Sequence, residues 1–236
     1  MSLNTLCYCQ SKEQGNNKNT NKEAELYLEL IKLKIDSAGT NTYAQICDSL
    51  GVLFYRRKKY KEAEQILSKA KQIHEKLLGK ENLDYAYSCN YIGLSYNYMG
   101  QFEKAEPLLL EARQIRAKLL GKQHSDYLSS CNNLANLYTN IGQYEKAEQL
   151  YLEAKQIWEQ ALGKGHPEYA TSCNNLAALY SHMGLYEKAE PLYIEARQIR
   201  EKVLGKEHPE YATSCNNLAA LYSHMGLYEK AEPLYI

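Results

Sequence analysis

Apolar and polar positions along this chain follow the period of an α-helix, and the pattern then starts again. From Tyr169, apolar or small residues stand at Tyr169, Cys173, Leu176, Ala177 and Tyr180, the i, i+4, i+7, i+8, i+11 stripe of an amphipathic helix. His166-Pro167-Glu168 opens this helix, since Pro is tolerated in a first turn and an acidic side chain suits the positive end of the helix dipole. Met183-Gly184 closes it. A second stripe runs through Tyr186, Ala189, Leu192, Tyr193, Ala196, Ile199 and Val203 to Leu204-Gly205, where Gly can take the left-handed cap conformation. The alternating pattern of a strand occurs nowhere.

The spacing of the cysteines shows how often this unit recurs. Cys47, Cys89, Cys131, Cys173 and Cys215 lie 42 residues apart, and Tyr43, Tyr85, Tyr127, Tyr169 and Tyr211 each precede one of them by four. Residues 164–194 and 206–236 differ only at Gly165 against Glu207. Two helices of roughly 16 residues per unit predict an all-α solenoid, with Ala177, Ala189 and Ala196 where helices approach closely.

These residues resemble the tetratricopeptide repeat. Leu176, Ala177, Tyr180, Gly184, Tyr186, Ala189, Tyr193 and Ala196 fall at that family's spacing, and the match recurs five times. The first unit departs most, with Lys58 in place of the turn Gly. The 42-residue period, with Leu-Gly-Lys between units and Asn-Asn-Leu-Ala in the first helix, is similar to the kinesin light chain subclass. The resemblance implies a right-handed α-solenoid that binds a protein or an extended peptide on the concave surface lined by its first helices. It does not name the partner. It also leaves an alternative: the array as the sensor arm of a larger effector, a protease or nucleotide-dependent signalling protein, with its catalytic domain beyond residue 236.

The expected organisation is a flexible leader at 1–20, an N-terminal capping helix at 21–38, and repeats at 43–84, 85–126, 127–168, 169–210 and 211–236. Lys22-Glu23-Ala24-Glu25 echoes Lys61-Glu62-Ala63-Glu64, which suggests a lone second helix as the cap. The fifth repeat is expected to be cut short, leaving Leu218, Tyr222, Leu234 and Tyr235 partly uncovered and able to associate end to end with another copy.

Charge and chemistry narrow the function. Lys plus Arg and Asp plus Glu are both 28, so no overall field favours nucleic acid or an anionic membrane. There is no apolar run of the roughly 20 residues that a spanning helix needs and no signal peptide, and seven Cys in the absence of a disulfide framework point to the cytoplasm. No nucleotide, dinucleotide or zinc-protease motif occurs, so no catalytic residue, metal or cofactor is assigned and the chain is read as a non-enzyme. Cys7 and Cys9 lack nearby ligands for a metal site. The periodic Cys are read as packing, and His166 and His208 as helix-opening side chains.

The candidate site lies on the polar face of the first helices. Asn recurs at Asn90, Asn132, Asn174 and Asn216, with Asn133, Asn175 and Asn217 adjoining; Asn97, Tyr98 and Asn136 complete the row. Asn is a mediocre helix former, so repeated use inside helices assigns its amides a task. Two tasks remain open: a ladder between neighbouring helices, or donation to and acceptance from a bound peptide backbone. Arg56 begins the cluster Arg56-Arg57-Lys58-Lys59-Tyr60-Lys61, read either as a solvated turn or as a dock for an acidic partner segment. Trp158 shares its repeat position with His74, Arg116 and Arg200, and is either an exposed hot spot or a side chain packed on the following repeat.

Overall fold

The helices begin and end where the capping residues dictate. A computed structural model describes residues 40–235; the expected leader and capping helix lie outside the described residues. The first helices of the repeats are α1 (Asn41–Arg56), α3 (Leu83–Tyr98), α5 (Ser125–Asn140), α7 (Pro167–His182) and α9 (Pro209–His224). The second helices are α2 (Tyr60–Leu78), α4 (Phe102–Leu120), α6 (Tyr144–Leu162), α8 (Tyr186–Leu204) and the short α10 (Tyr228–Ala231), which runs into a 3-10 turn at Glu232–Leu234. All regular structure among the described residues is helical, so the fold class is the all-α helical-repeat solenoid expected.

Side chains before each first helix satisfy its free N–H groups. Thr40 Oγ1 accepts from Tyr43 N at 3.2 Å and Asn82 Oδ1 from Asp84 N at 2.8 Å. The imidazoles of His124, His166 and His208 do the same through Nδ1, at 3.1, 3.2 and 3.2 Å from the N–H groups of Asp126, Glu168 and Glu210. Each Nδ1 therefore acts as an acceptor and carries no proton.

Each first helix ends in a Schellman turn. Leu185 N donates to Tyr180 O at 2.8 Å and Gly184 N to Ser181 O at 3.0 Å, with Gly184 at φ 74°. Lys58 occupies this left-handed position in the first repeat at φ 61°, where a side chain costs about 1 kcal/mol that Gly would not. Lys58→Gly is therefore expected to raise the melting temperature by a few degrees, corresponding to about 1 kcal/mol. A fall in melting temperature would mean that Lys58 makes contacts worth more than its strain.

The second helices end differently from the left-handed cap expected. Gly79, Gly163 and Gly205 lie at φ 80–83° with ψ 165–173°, the extended mirror region open essentially to Gly alone. The chain leaves these helices straight into the loop instead of curling back.

Between Leu119 and Leu120 the chain divides into two compact units. In the first, α2 packs on α1 and α3, and α1 touches α3. In the second, α5 to α9 pack successively on one another, and α10 with its 3-10 turn covers α9. The predicted stripe Tyr169, Cys173, Leu176, Ala177 and Tyr180 is buried, as are Ala189, Tyr193 and Ala196. Val203 was placed on that stripe, but it is 50% exposed, whereas Arg200 is 4% exposed. The second helices run 19 residues against 16 for the first, so their last turn outlasts its cover. Arg200, four residues after Ala196, stays on the inner face.

The uncovered apolar end expected at the fifth repeat is largely absent. Leu218 and Tyr222 are buried, Leu234 is half-buried, and only Tyr235 is exposed, its hydroxyl 3.0 Å from Ser223 Oγ. The single turn of α10 and the 3-10 turn after it supply the cover.

Candidate functional site

The chain holds 22 Tyr against 2 Phe because the hydroxyls have partners at the helix interfaces. Tyr85, Tyr127 and Tyr169 donate to Glu111, Glu153 and Glu195 at 3.1, 2.7 and 3.2 Å. Tyr96, Tyr180 and Tyr222 donate to Glu64, Glu148 and Glu190 at 3.1, 2.6 and 2.8 Å. Lys ammonium groups lie over several of these rings, Lys155 over Tyr169 at 4.9 Å and Lys188 over Tyr180 at 5.2 Å. The Tyr-to-Cys spacing of four has the same origin. Cys89 and Cys173 point their thiols at the second oxygens of Glu111 and Glu195, at 3.8 and 3.7 Å. Burial, reinforced by the Glu charge, pushes both thiols up to about 12, which leaves them protonated and inert as nucleophiles.

A second periodic position carries His74, Arg116, Trp158 and Arg200, and all four are buried. Trp158, at 8% exposure, is therefore a core side chain and not an exposed hot spot. In the first unit His74 Nε2 and Asp48 Oδ2 share a hydrogen bond of 2.8 Å, and Ser88 Oγ donates to Asp48 Oδ1 at 2.6 Å. Burial raises the Asp48 carboxyl above its ordinary range, against the lowering effect of its two hydrogen bonds. Ser, Asp and His meet here in an order unsuited to nucleophilic catalysis, because Asp48 stands between Ser88 and the imidazole that would have to deprotonate it. In the second unit Arg200 Nη1 donates to Ser214 Oγ at 2.8 Å and to Glu210 O at 3.3 Å, and Nη2 donates to Thr171 Oγ1 at 3.0 Å. The guanidinium thereby ties α8 to α7 and α9.

The predicted site residues fall into three groups. Asn90 and Asn97, expected to face a ligand, are buried within the first unit. Arg56, Tyr98, Asn136 and Asn216 are exposed. Asn132, Asn133, Asn174, Asn175 and Asn217 are half-buried. Asn217 Nδ2 donates to Asn174 Oδ1 at 2.9 Å, joining α9 to α7. Asn136 Oδ1 accepts from the Tyr151 hydroxyl at 2.6 Å, and Asn132 Oδ1 is buried without a hydrogen-bond partner. Beside these amides the same register positions carry Ala178, Ser181, Ala220 and Ser223, so the second unit presents amides among short side chains.

The first unit presents something else at those positions. Tyr87, Tyr91 and Tyr98 stand where the second unit has Ser129, Asn133 and Asn140, and Tyr55 stands where later repeats have Thr139, Ser181 and Ser223. With Tyr60 they make one ring cluster. Tyr60 stacks on Tyr98 at 4.8 Å and 8°, and Tyr55 meets Tyr91 and Tyr98 edge-on at 5.5 and 5.7 Å. Tyr55 also lies 5.7 Å from Tyr60, and Tyr87 4.9 Å from Tyr91. Of these rings Tyr98 was a predicted site residue and Tyr60 lies inside the predicted cationic run, but Tyr91 was missed. Aligning each position with its copies 42 residues on would have found Tyr91, where the later repeats carry Asn.

Among the described residues no group of three or more His, Cys, Asp or Glu is placed to hold a metal ion, and no helix is long and apolar enough to cross a membrane.

The tetratricopeptide repeat family model matches residues 44–118, 86–154, 128–190 and 172–235. No curated protein matches the chain. Among solved structures, a Podospora anserina kinesin light chain protein with nearly identical TPR-like repeats is similar at 27% identity and TM-score 0.69, over 82% of this chain and 92% of that one. BtubC (BKLC) from P. vanneervenii shares the fold at 21% identity and TM-score 0.67, over 92% of this chain and 85% of that one. A Rap protein complexed with competence and sporulation factor shares it at 16% identity and TM-score 0.69, over 97% of this chain and 67% of that one. Repeat period, helix pairing and family match agree that this chain belongs to the tetratricopeptide repeat family, as a protein-interaction scaffold similar to kinesin light chain repeats.

Proposed function

We propose that the chain binds an extended segment of a partner protein along the first-helix faces of its repeats, with the amides Asn132 and Asn136 of α5 holding the partner's backbone. The observation that carries this reading is Asn132 Oδ1, an acceptor buried without a partner beside the exposed amide of Asn136. A buried acceptor left unmade costs about 1–3 kcal/mol, which a backbone N–H from a ligand would recover. The small side chains Ala178, Ser181, Ala220 and Ser223 leave room for a main chain beside the amides. The two tasks open to Asn are then divided: Asn217 and Asn174 tie helices together, while Asn132 and Asn136 serve the ligand.

The test is the double variant Asn132→Ala, Asn136→Asp, in which Asp keeps an acceptor for Tyr151 and loses the amide donor. With the wild-type chain as bait, cross-linking and mass spectrometry identify the captured partner. The double variant is expected to bind that partner at least tenfold more weakly at a melting temperature no lower than that of the wild type, since two lost hydrogen bonds are worth about 2 kcal/mol. Undiminished binding would remove these amides from the site.

A further inference from the structure

The tyrosine cluster of the first unit lies outside the network that explains the other tyrosines. Tyr85, Tyr127 and Tyr169, and Tyr96, Tyr180 and Tyr222, each hold a Glu, recur through the repeats, and stabilise the packing. Tyr55, Tyr87, Tyr91 and Tyr98 replace small polar residues of the later repeats, and their rings contact one another instead. Tyr98 is 60% exposed although it stacks on Tyr60. Rings held at centroid spacings of 4.8–5.7 Å, some parallel and some edge-on, form a corrugated and rigid apolar surface edged with hydroxyls. Aromatic surfaces of this kind accept the pyrrolidine rings of a polyproline II helix, which arrives already ordered and loses little conformational entropy on binding.

The rim of the cluster is cationic. Residues 56–59 connect Tyr55 to Tyr60, two members of the cluster, and all four are Arg or Lys. Arg56, Lys58, Lys59 and Lys61 are exposed, and both terminal nitrogens of Arg57 lack a hydrogen-bond partner. The corresponding turns are Met99-Gly100-Gln101, Ile141-Gly142-Gln143 and Met183-Gly184-Leu185, all uncharged. Lys58 even holds a left-handed conformation that Gly takes elsewhere. The local positive field selects acidic residues beside the docked segment and rejects basic ones.

We infer that the platform formed by Tyr55, Tyr60, Tyr87, Tyr91 and Tyr98, with the cationic turn at Arg56–Lys61, docks a proline-containing acidic segment of a partner protein in polyproline II conformation. This rests on the reading of the chain as a peptide-binding scaffold and gives the chemistry of the partner at its first unit. Prolines sit on the rings, and the flanking Asp or Glu side chains face Arg56, Lys58 and Lys61.

The probe is a fluorescein-labelled peptide, Asp-Glu-Pro-Pro-Ala-Pro-Pro-Glu-Asp, titrated with the full chain by fluorescence anisotropy. Three competitors accompany it: the same peptide with Ala for every Pro, the same peptide with Lys for every acid, and an oligouridylate. The probe is expected to bind, and the Ala and Lys peptides to compete at least tenfold more weakly. Tyr98→Ala changes an exposed side chain, with circular dichroism as the check on folding, and should weaken the probe about tenfold, as loss of an aromatic anchor does. Arg56→Glu should weaken it severalfold, and the effect should shrink as salt is added. Absence of probe binding, or equal binding by Tyr98→Ala, would overturn the inference. Equal competition by the Ala peptide would reduce the surface to one that reads acidity alone, also overturning it. An oligouridylate that outcompetes the probe would reassign the platform to single-stranded nucleic acid. Probe failure combined with loss of the captured partner in the Asn132→Ala, Asn136→Asp variant would sink this inference and leave the scaffold reading standing. Probe failure combined with undiminished capture of the partner by that variant would sink both.

Discussion

Replacing Arg200 with Ala is expected to destabilise the second unit by about 3 kcal/mol, the cost of a cavity together with three lost hydrogen bonds. Arg200 is buried and joins α8 to Thr171 on α7 and to Glu210 and Ser214 on α9. Burial lowers its pKa, so the folded state holds this cation at a desolvation cost. Removing it strands no charge, because Glu210 is exposed and Thr171 and Ser214 still donate to Pro167 O and Glu210 O. The loss should therefore come from packing more than from an orphaned partner. Arg200→Met, of similar volume and without charge, is then expected to cost less than about 1.5 kcal/mol. Trp158 already fills the same position one repeat earlier with no charge at all. Urea unfolding, with hydrogen exchange in α7 to α9 to localise the effect, measures both variants. A Met variant as unstable as the Ala variant would show that the hydrogen bonds, not the filled volume, hold these helices in register.

Gly51→Ala should destabilise the first unit by about 2 kcal/mol, although helix propensity alone favours Ala by about 1 kcal/mol. A Cβ at Gly51 would collide with Leu67 Cγ and lie 2.7 Å from Leu67 Cδ2 and 3.0 Å from Ile66 Cγ2, and Leu67 is fully buried with nowhere to move. Gly93 stands in the same relation to Leu109, at 2.8 Å. Later repeats solve this contact with another pair: Ala135 with Tyr151, and Ala177 with Tyr193. The Cγ of Tyr is planar and keeps its two ring carbons in one flat sheet, whereas the tetrahedral Cγ of Leu splays two methyl groups, and the flat ring accommodates the Ala methyl. The double variant Gly51→Ala, Leu67→Tyr is expected to recover at least half of the loss, and a double-mutant cycle on urea midpoints measures the coupling. An additive cycle would mean that the two pairings arose independently of this contact.

Much of the site was legible in one respect and hidden in another. The Asn rows announced a polar face because Asn is out of place in a helix interior, and the structure sets most of them at half-buried or exposed positions. It also buries Asn90 and Asn97, in the unit where neighbouring register positions carry Tyr instead of Ser, Thr or Asn. The cationic turn was visible as a run, but its attachment to five contacting tyrosines was not, since Tyr55 belongs to α1, Tyr60 to α2, and Tyr87, Tyr91 and Tyr98 to α3.

The sequence by itself determined the repeat, its helix pairs and their caps, because these depend on periodicity and on residues within a few positions of each other: His166 before Glu168, Gly184 after His182. Only the tertiary structure decided what the buried polar side chains do. Whether Trp158 is a surface anchor or a core residue, whether Cys89 and Tyr85 share Glu111, and whether Asp48 meets His74 and Ser88 all depend on contacts between residues 22 to 40 positions apart. A helical stripe fixes which side of its own helix a residue occupies. Burial and hydrogen bonding are fixed by the neighbouring helix that arrives there, as Val203 left exposed and Arg200 enclosed both show.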